Sequence, residues 1–260
     1  MKFNWMRSLV LVAAVGLTAT FTVTAEDAKV EQLKPAADEA GFKSLFNGKD
    51  LTGWDGDKKF WRVEDGMITA ETTKEKPISN GNTFLIAQTE GKDAEFGDFE
   101  FRMSYRFAAD RPFGNSGIQY RSKHLPANKE NVWVVGGYQA DCDLKNGYTG
   151  ICYEEKGRGI FCKFGKKTVI AEDGKKTESS TGATEEQLKA ARKPAGEWND
   201  YVVICKGNHC VQILNGVVVA EFMDSQKDHA AAKGILALQA HAGQAMKIDF
   251  KNPRIAVSEK

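Results

Sequence analysis

The sequence predicts an all-β protein, a sandwich of two antiparallel sheets, and three observations carry that expectation. Short runs of alternating apolar and polar residues recur from Phe42 almost to the C-terminus, separated by turn signals. In the longest, "DFEFRMSYRF", Phe99, Phe101, Met103, Tyr105 and Phe107 share one face while Glu100, Arg102, Ser104 and Arg106 share the other. That is the period of a strand with one face in a core. The 25 Gly, six Pro and 10% aromatic residues suit a chain with many turns and little helix.

The chain opens with a basic patch (Lys2, Arg7), an apolar stretch from Leu9 to Val23 and small residues up to Ala25, the layout of an export signal cleaved after Ala25. Residues 1–25 are therefore read as a signal peptide and 26–41 as a polar leader with a short helical turn around "PAADEA". Residues 42–258 are read as one sandwich domain. Localisation follows as exported, periplasmic or extracellular.

Within the domain, "KFWRVEDGMITAE" reads as two strands joined at an acidic-Gly turn, followed by "NTFLIAQ" and the 98–107 run. Further strands are expected at "NSGIQYRS", "VGGYQADC", "GICYEE", "GIFCKF", "DYVVICKG", "CVQILNGVVVAEF", "GILALQAHA" and "MKIDFKNPRIAV". The main interruption, about 171–197, contains "TEEQLKAAR". This reads as a short helix with Thr184 as N-cap and Gln187 reaching back, stopped at Lys193–Pro194.

A net charge of +1, from 36 basic and 35 acidic residues, provides no electrostatic reason for nucleic acid or an anionic membrane as partner. No segment after the leader is apolar enough to span a bilayer as a helix. All five cysteines lie between 142 and 210; Cys205 and Cys210 flank the "KGNH" turn of a hairpin and are expected to be bridged or within bridging reach. Cys142, Cys152 and Cys162 lack the close paired spacing of a zinc site and read as buried strand thiols.

Three strands have unusual polar faces. "NSGIQYRS" lines one face with Asn115, Gly117, Gln119 and Arg121, where an ordinary solvated face would carry Lys, Glu and Thr. "GYQADCD" places Gln139, Asp141 and Asp143 together, and "GILALQAHA" groups Gln239 and His241 with Ile235 and Ala237. Amides donate and accept, a guanidinium donates in a fixed fork and a carboxylate accepts. With small residues between them, such groups suit a ligand covered in hydroxyls, a sugar. Each also has an ordinary reading: a turn start for Asn115, a bulge for Gly117, solvent positions for the glutamines and a satisfied histidine for His241. It is their concentration on three strands that points to a site.

The segments "LFNGKDLTGW", "WRVEDGMI", "NSGIQYR", "GGYQAD", "KPAGEWNDYVV", "ILNG" and "GILALQAH" occur in an order that resembles one family, over about residues 42–257. This family was first known only as a domain of unknown function and is now called the 3-keto-disaccharide hydrolase, or 3-keto-glucoside lyase/hydratase, domain. The resemblance implies a concanavalin A-like (jelly-roll) sandwich that is exported and acts on glucosides already oxidised at C3. By the same resemblance, the "NSG" motif carries over to Asn115 and Arg121, and the "L-Q-x-H" motif to Gln239 and His241. The second strand departs from the common family pattern, which has Glu after the Gly-Tyr pair and Gln two residues on; here those positions hold Gln139 and Asp141.

The implied reaction needs a base for the C2 proton, a group to stabilise the enolate and an acid for the leaving group. Asp141 or Glu154 could be the base, Arg121 or a bound cation could stabilise the enolate, and His241 could shuttle protons. "YEEKGR" adds Glu155 and Arg158 as further candidates, and Gln119, Gln139 and Arg158 join the expected substrate-binding set. Asp141 and Asp143 could help hold a divalent cation, but two carboxylates do not define a site. The expected partner is a small carbohydrate. The competing readings are a lectin-like sandwich that binds sugar without turnover and an adhesive domain with no small ligand.

Overall fold

The computed structural model describes residues 32–125 and 131–258; the leader expected to be cleaved after Ala25 lies outside them. The described strands form two sheets. The first runs Lys176–Ser180, Lys166–Ile170, Val217–Asp224, His209–Leu214, Asn199–Lys206, Phe99–Phe107, Lys247–Val257, Met67–Glu71, Trp61–Glu64, with Lys43–Ser44 added beside Lys247–Val257. The second runs Gly159–Cys162, Cys152–Glu155, Val135–Asp143, Asn115–His124, Gly234–Ala240, Thr83–Thr89, Trp54–Asp55, with short strands Lys92–Asp93 and Glu95–Phe96 at its margin. From Leu33 onward the chain forms one compact unit. The fold is the expected concanavalin A-like sandwich, except that Lys166–Ile170 pairs with Val217–Asp224 in parallel.

The core forms where the alternation requires it. Phe99, Phe101, Met103, Tyr105 and Phe107 are all buried and pack with Tyr120, Tyr138, Phe161, Tyr201, Phe222 and Phe250 between the sheets. Burying an aromatic or aliphatic side chain of this kind stabilises by about 1.5–3 kcal/mol each, so this inter-sheet layer dominates the folding free energy. The helix Glu185–Ala191 has the expected capping box: Thr184 accepts from the Gln187 backbone, and the Gln187 side chain accepts from the Thr184 N–H. Cys205 and Cys210 are directly paired across the hairpin with Cα atoms 4.3 Å apart and form a disulfide, while Cys142, Cys152 and Cys162 are free and buried.

Two expectations fail locally. Residues 35–40 form no helix: Ala37–Asp38 is a bend and Ala40–Gly41 a turn, and the backbone of Ala36 bonds to the sheet beneath, its N–H donating to Glu100 and its carbonyl accepting from Arg102. Leu33 packs on Ile204, Val211 and Ile213, and Glu39 pairs with Arg102 and Arg254. Residues 33–40 are thus a strap over the outer face of the first sheet. The 171–197 interruption also conceals a strand, Lys176–Ser180, whose five residues are all exposed, so no hydrophobic alternation marks it.

Candidate functional site

The outer face of the second sheet is a concave floor. Gln239 and Glu155 lie on strands separated by two others. Flat pleating would put such positions about 14 Å apart. Their side chains nevertheless meet, with Gln239 Nε2 donating to Glu155 Oε2 at 3.3 Å, so the sheet curls toward this face. The hollow has a volume of about 530 Å³ and is lined by Asn115, Gln139, Asp141, Gln239 and His241 of the expected set. Glu155, Asn82, Phe113, Tyr148, Tyr153 and Ile160 complete it.

Pair register explains how distant segments converge. Asp143, Asp141 and Gln139 stand directly opposite Asn115, Gly117 and Gln119, so both polar faces become one. Gln139 also stands opposite Tyr153, which pairs in turn with Ile160. Gly117 has a specific reason to lack a side chain: a Cβ there would lie 2.5 Å from Cγ and Cδ of Gln139. Gln139, 2% exposed, therefore lies over Gly117.

Gln139 is held in one orientation by a hydrogen-bond chain. Ser122 Oγ donates to Gln119 Oε1 (2.6 Å), Gln119 Nε2 donates to Gln139 Oε1 (2.8 Å), and Gln139 Nε2 faces Asp141 Oδ2 at 3.4 Å. Gln119 is fully buried and acts by positioning Gln139; it does not line the hollow. Gly117→Ala, whose backbone an alanine can adopt, should displace Gln139 and break this chain. Buried amides that lose their partners should cost about 1–3 kcal/mol of folding stability, read by chemical denaturation; an unchanged stability would sink the idea.

Asp141 is 6% exposed, and its Oδ1 has no protein partner; nor does the buried Oε1 of Gln239. Burial pushes the Asp141 carboxyl well above its ordinary range, opposed by the Gln139 donor and reinforced by the charges of Asp143 and Glu155. Burial also raises Glu155, against the opposing influence of Lys156, the Asn82 amide and His241. His241 lies edge-on to Phe113 with its Nδ1 against the Ala242 carbonyl, so in the neutral ring Nδ1 carries the proton and Nε2 is the free acceptor. Asp143 is fully used in structure: it accepts from the N–H groups of Gly147, Tyr148 and Thr149, clamping the loop that carries Tyr148 to the rim. Both of its oxygens are engaged with that loop, and among the described residues no group of three or more His, Cys, Asp or Glu is placed to hold a metal.

Three expected site residues are elsewhere. Arg121 loses its parity at a β-bulge: Ala237 pairs with Gln119 but Ile235 pairs with Ser122, and Arg121 has a φ of 46°. Ser122 takes its place on the floor side. The Arg121 guanidinium is buried against Asp98 and the carbonyls of Gly97, Gly207 and Ala231. Glu154 is opposite Tyr138, on the core-facing parity, and binds Arg158. Arg158 also pairs with Asp224 and lies 4.8 Å over the Phe161 ring, so both residues join the two sheets and neither enters the hollow. Asn82, Phe113, Tyr148, Tyr153 and Ile160 had not been anticipated. Of these, only Tyr153 carried a local signal, its shared parity with Glu155.

Among solved structures, two candidate glycosyl hydrolases from Parabacteroides distasonis are similar to this chain. One has a TM-score of 0.51 and 22% identity over 84% of this chain and 94% of that one. The other has a TM-score of 0.50 and 20% identity over 84% and 99%. A Bacillus subtilis protein of unknown function with a galectin-like fold aligns at TM-score 0.52 and 9% identity, over 84% and 96%. At these identities the likeness is one of fold. Comparison with curated proteins finds no match. The family model described as a 3-keto-alpha-glucoside-1,2-lyase-like domain matches residues 41–256, nearly all of the described chain. With that match over a sandwich whose hollow is floored by amides and carboxylates, the chain belongs to the 3-keto-alpha-glucoside-1,2-lyase-like family, and its function concerns carbohydrate.

Proposed function

We propose that this protein is an enzyme that cleaves 3-keto-glucosides, with Asp141, Glu155 and His241 as its reacting groups. The observation that carries the reading is a pair of buried acceptors, Asp141 Oδ1 and Gln239 Oε1, with no donor in the protein and both beside a hollow of sugar size. An unsatisfied buried acceptor costs about 1–3 kcal/mol, and a polyhydroxylated ligand supplies the missing donors.

The 3-keto group acidifies the C2 hydrogen. Asp141 takes that proton, the neighbouring amides donate to the resulting enolate oxygen in place of Arg121, and the free Nε2 of His241 is the acceptor that relays the proton of the incoming water. The enolate collapses to restore the ketone, forming the C1–C2 double bond as the C1–O bond breaks, and the departing oxygen takes a proton from Glu155. Water then adds across the double bond, its hydroxyl to C1 and a proton back to C2, so one water is consumed and no redox partner is needed. Two carboxyls with raised proton affinity in one hollow favour the state in which one is ionised and the other protonated, a base beside an acid.

The deciding assay compares methyl 3-keto-glucoside with methyl glucoside, following release of sugar. Cleavage of the keto-sugar alone is the expected result, and equal cleavage of both would remove the enolate route. A lectin-like binder would take up the sugar and turn over neither. The raised carboxyl of Asp141 sets the pH dependence: kcat/KM should fall on its acid side at a pH above the ordinary carboxylate range of about 4. An acid limb at or below that value would show that an unperturbed carboxylate is the base. We also infer export through residues 1–25, and N-terminal sequencing of secreted protein should begin at Glu26.

A further inference from the structure

We infer that the hollow continues into an apolar subsite, formed by Tyr148, Tyr153 and Ile160, that takes a flat apolar group on C1 of the sugar. This rests on the keto-glucoside reading above and specifies its aglycone. The row of paired residues across the sheet runs from Gln119 to Gln139, then Tyr153, then Ile160. It changes from amide to apolar as it approaches the edge strand Gly159–Cys162. Tyr148, on the loop clamped by Asp143, adds a second ring to the same hollow.

Ile160 is 45% and Tyr148 51% exposed, two of the five large apolar residues left exposed among those described. A single exposed apolar residue is ordinary, but two that converge with a third beside a polar floor form a patch left uncovered until something binds. The polar floor can hold one hexose ring through its amides and carboxylates. The Tyr148–Tyr153–Ile160 side provides only two phenol hydroxyls as hydrogen-bonding groups. A second sugar there would gain few direct hydrogen bonds from the protein and keep its hydroxyls in water, whereas an aromatic ring would bury more apolar area.

The test uses three substrates: methyl, benzyl and glucosyl 3-keto-glucosides. Methanol and benzyl alcohol are leaving groups of closely similar acidity, so a difference between the first two reports binding beyond C1 and not bond-breaking. Burying part of a phenyl ring corresponds to about tenfold or more in kcat/KM, so benzyl should exceed methyl by that factor, with glucosyl below benzyl. In Ile160→Thr, which keeps strand preference at an exposed position, the benzyl-to-methyl ratio should fall to about twofold or less. A wild-type benzyl-to-methyl ratio near one, or an unchanged ratio in Ile160→Thr, would each overturn the subsite. The methyl substrate alone reports on the cleavage reading. If none of the three is turned over, that reading fails, and the same ratio is then measured as dissociation constants by calorimetry, where equal constants overturn the subsite.

Discussion

Asp141→Asn should lower kcat on a 3-keto-glucoside by about 10²- to 10⁴-fold, the usual contribution of a general base. The substitution keeps the shape and the contact with Gln139 but removes the proton acceptor whose Oδ1 has no protein partner. Sugar affinity should change far less, since one hydrogen bond contributes only about 0.5–1.5 kcal/mol net. An undiminished variant would keep the enzyme and move the base to Glu155 or His241. The same variant carries a stability signature of defined sign. Because burial raises the folded-state pKa of Asp141, its stability contribution is intact below the unfolded pKa and is lost as pH rises through the folded one. The asparagine should therefore melt higher than the parent at pH 7–8, by about 2–4 °C per kcal/mol regained. Near pH 3, below the ordinary Asp pKa of about 3.9, the two should coincide. A variant that loses activity and also melts lower at neutral pH would mark Asp141 as structural.

Arg158→Met should cost about 3–5 kcal/mol of folding stability, the range for removing one partner of a buried ionic cluster. Arg158 binds Glu154 and both oxygens of Asp224, and all three residues are largely buried. Burial alone would raise Asp224, but the Arg158 and Tyr138 hydrogen bonds outweigh it and hold that carboxyl below its usual range. Methionine fills the stem volume over Phe161 and leaves two buried carboxylates uncompensated. Chemical denaturation measures the loss. Activity per folded molecule should stay within a few-fold, because the guanidinium does not line the hollow. A stable variant with abolished turnover would return Arg158 to the substrate.

Most of the strands were legible because their signal is local. The alternation of Phe99 to Phe107 assigns faces without knowledge of any other segment, and Thr184 with Gln187 marks a helix start within four residues. Lys176–Ser180 was not legible because it buries nothing. The candidate site was legible to the same depth. Asn115, Gln139, Asp141, Gln239 and His241 lie on or beside stretches of strand clear of the bulges, where the spacing holds, and all five line the hollow.

The sequence by itself determined the class of fold, the family and the polar character of three strand faces, since each depends on residue type and spacing along the chain. Only the tertiary structure decided which groups meet. A bulge formed with the neighbouring strand turned Arg121 out of the face its spacing assigned, and the pairing of Tyr138 with Glu154 sent that carboxylate to the core side and Glu155 to the floor. One residue of register reverses every side chain on a strand, and register is set by partners far away in sequence. Tyr148, Asn82 and Phe113 entered for the same reason, because curvature of the sheet and a clamped loop bring them over a floor that no local pattern describes.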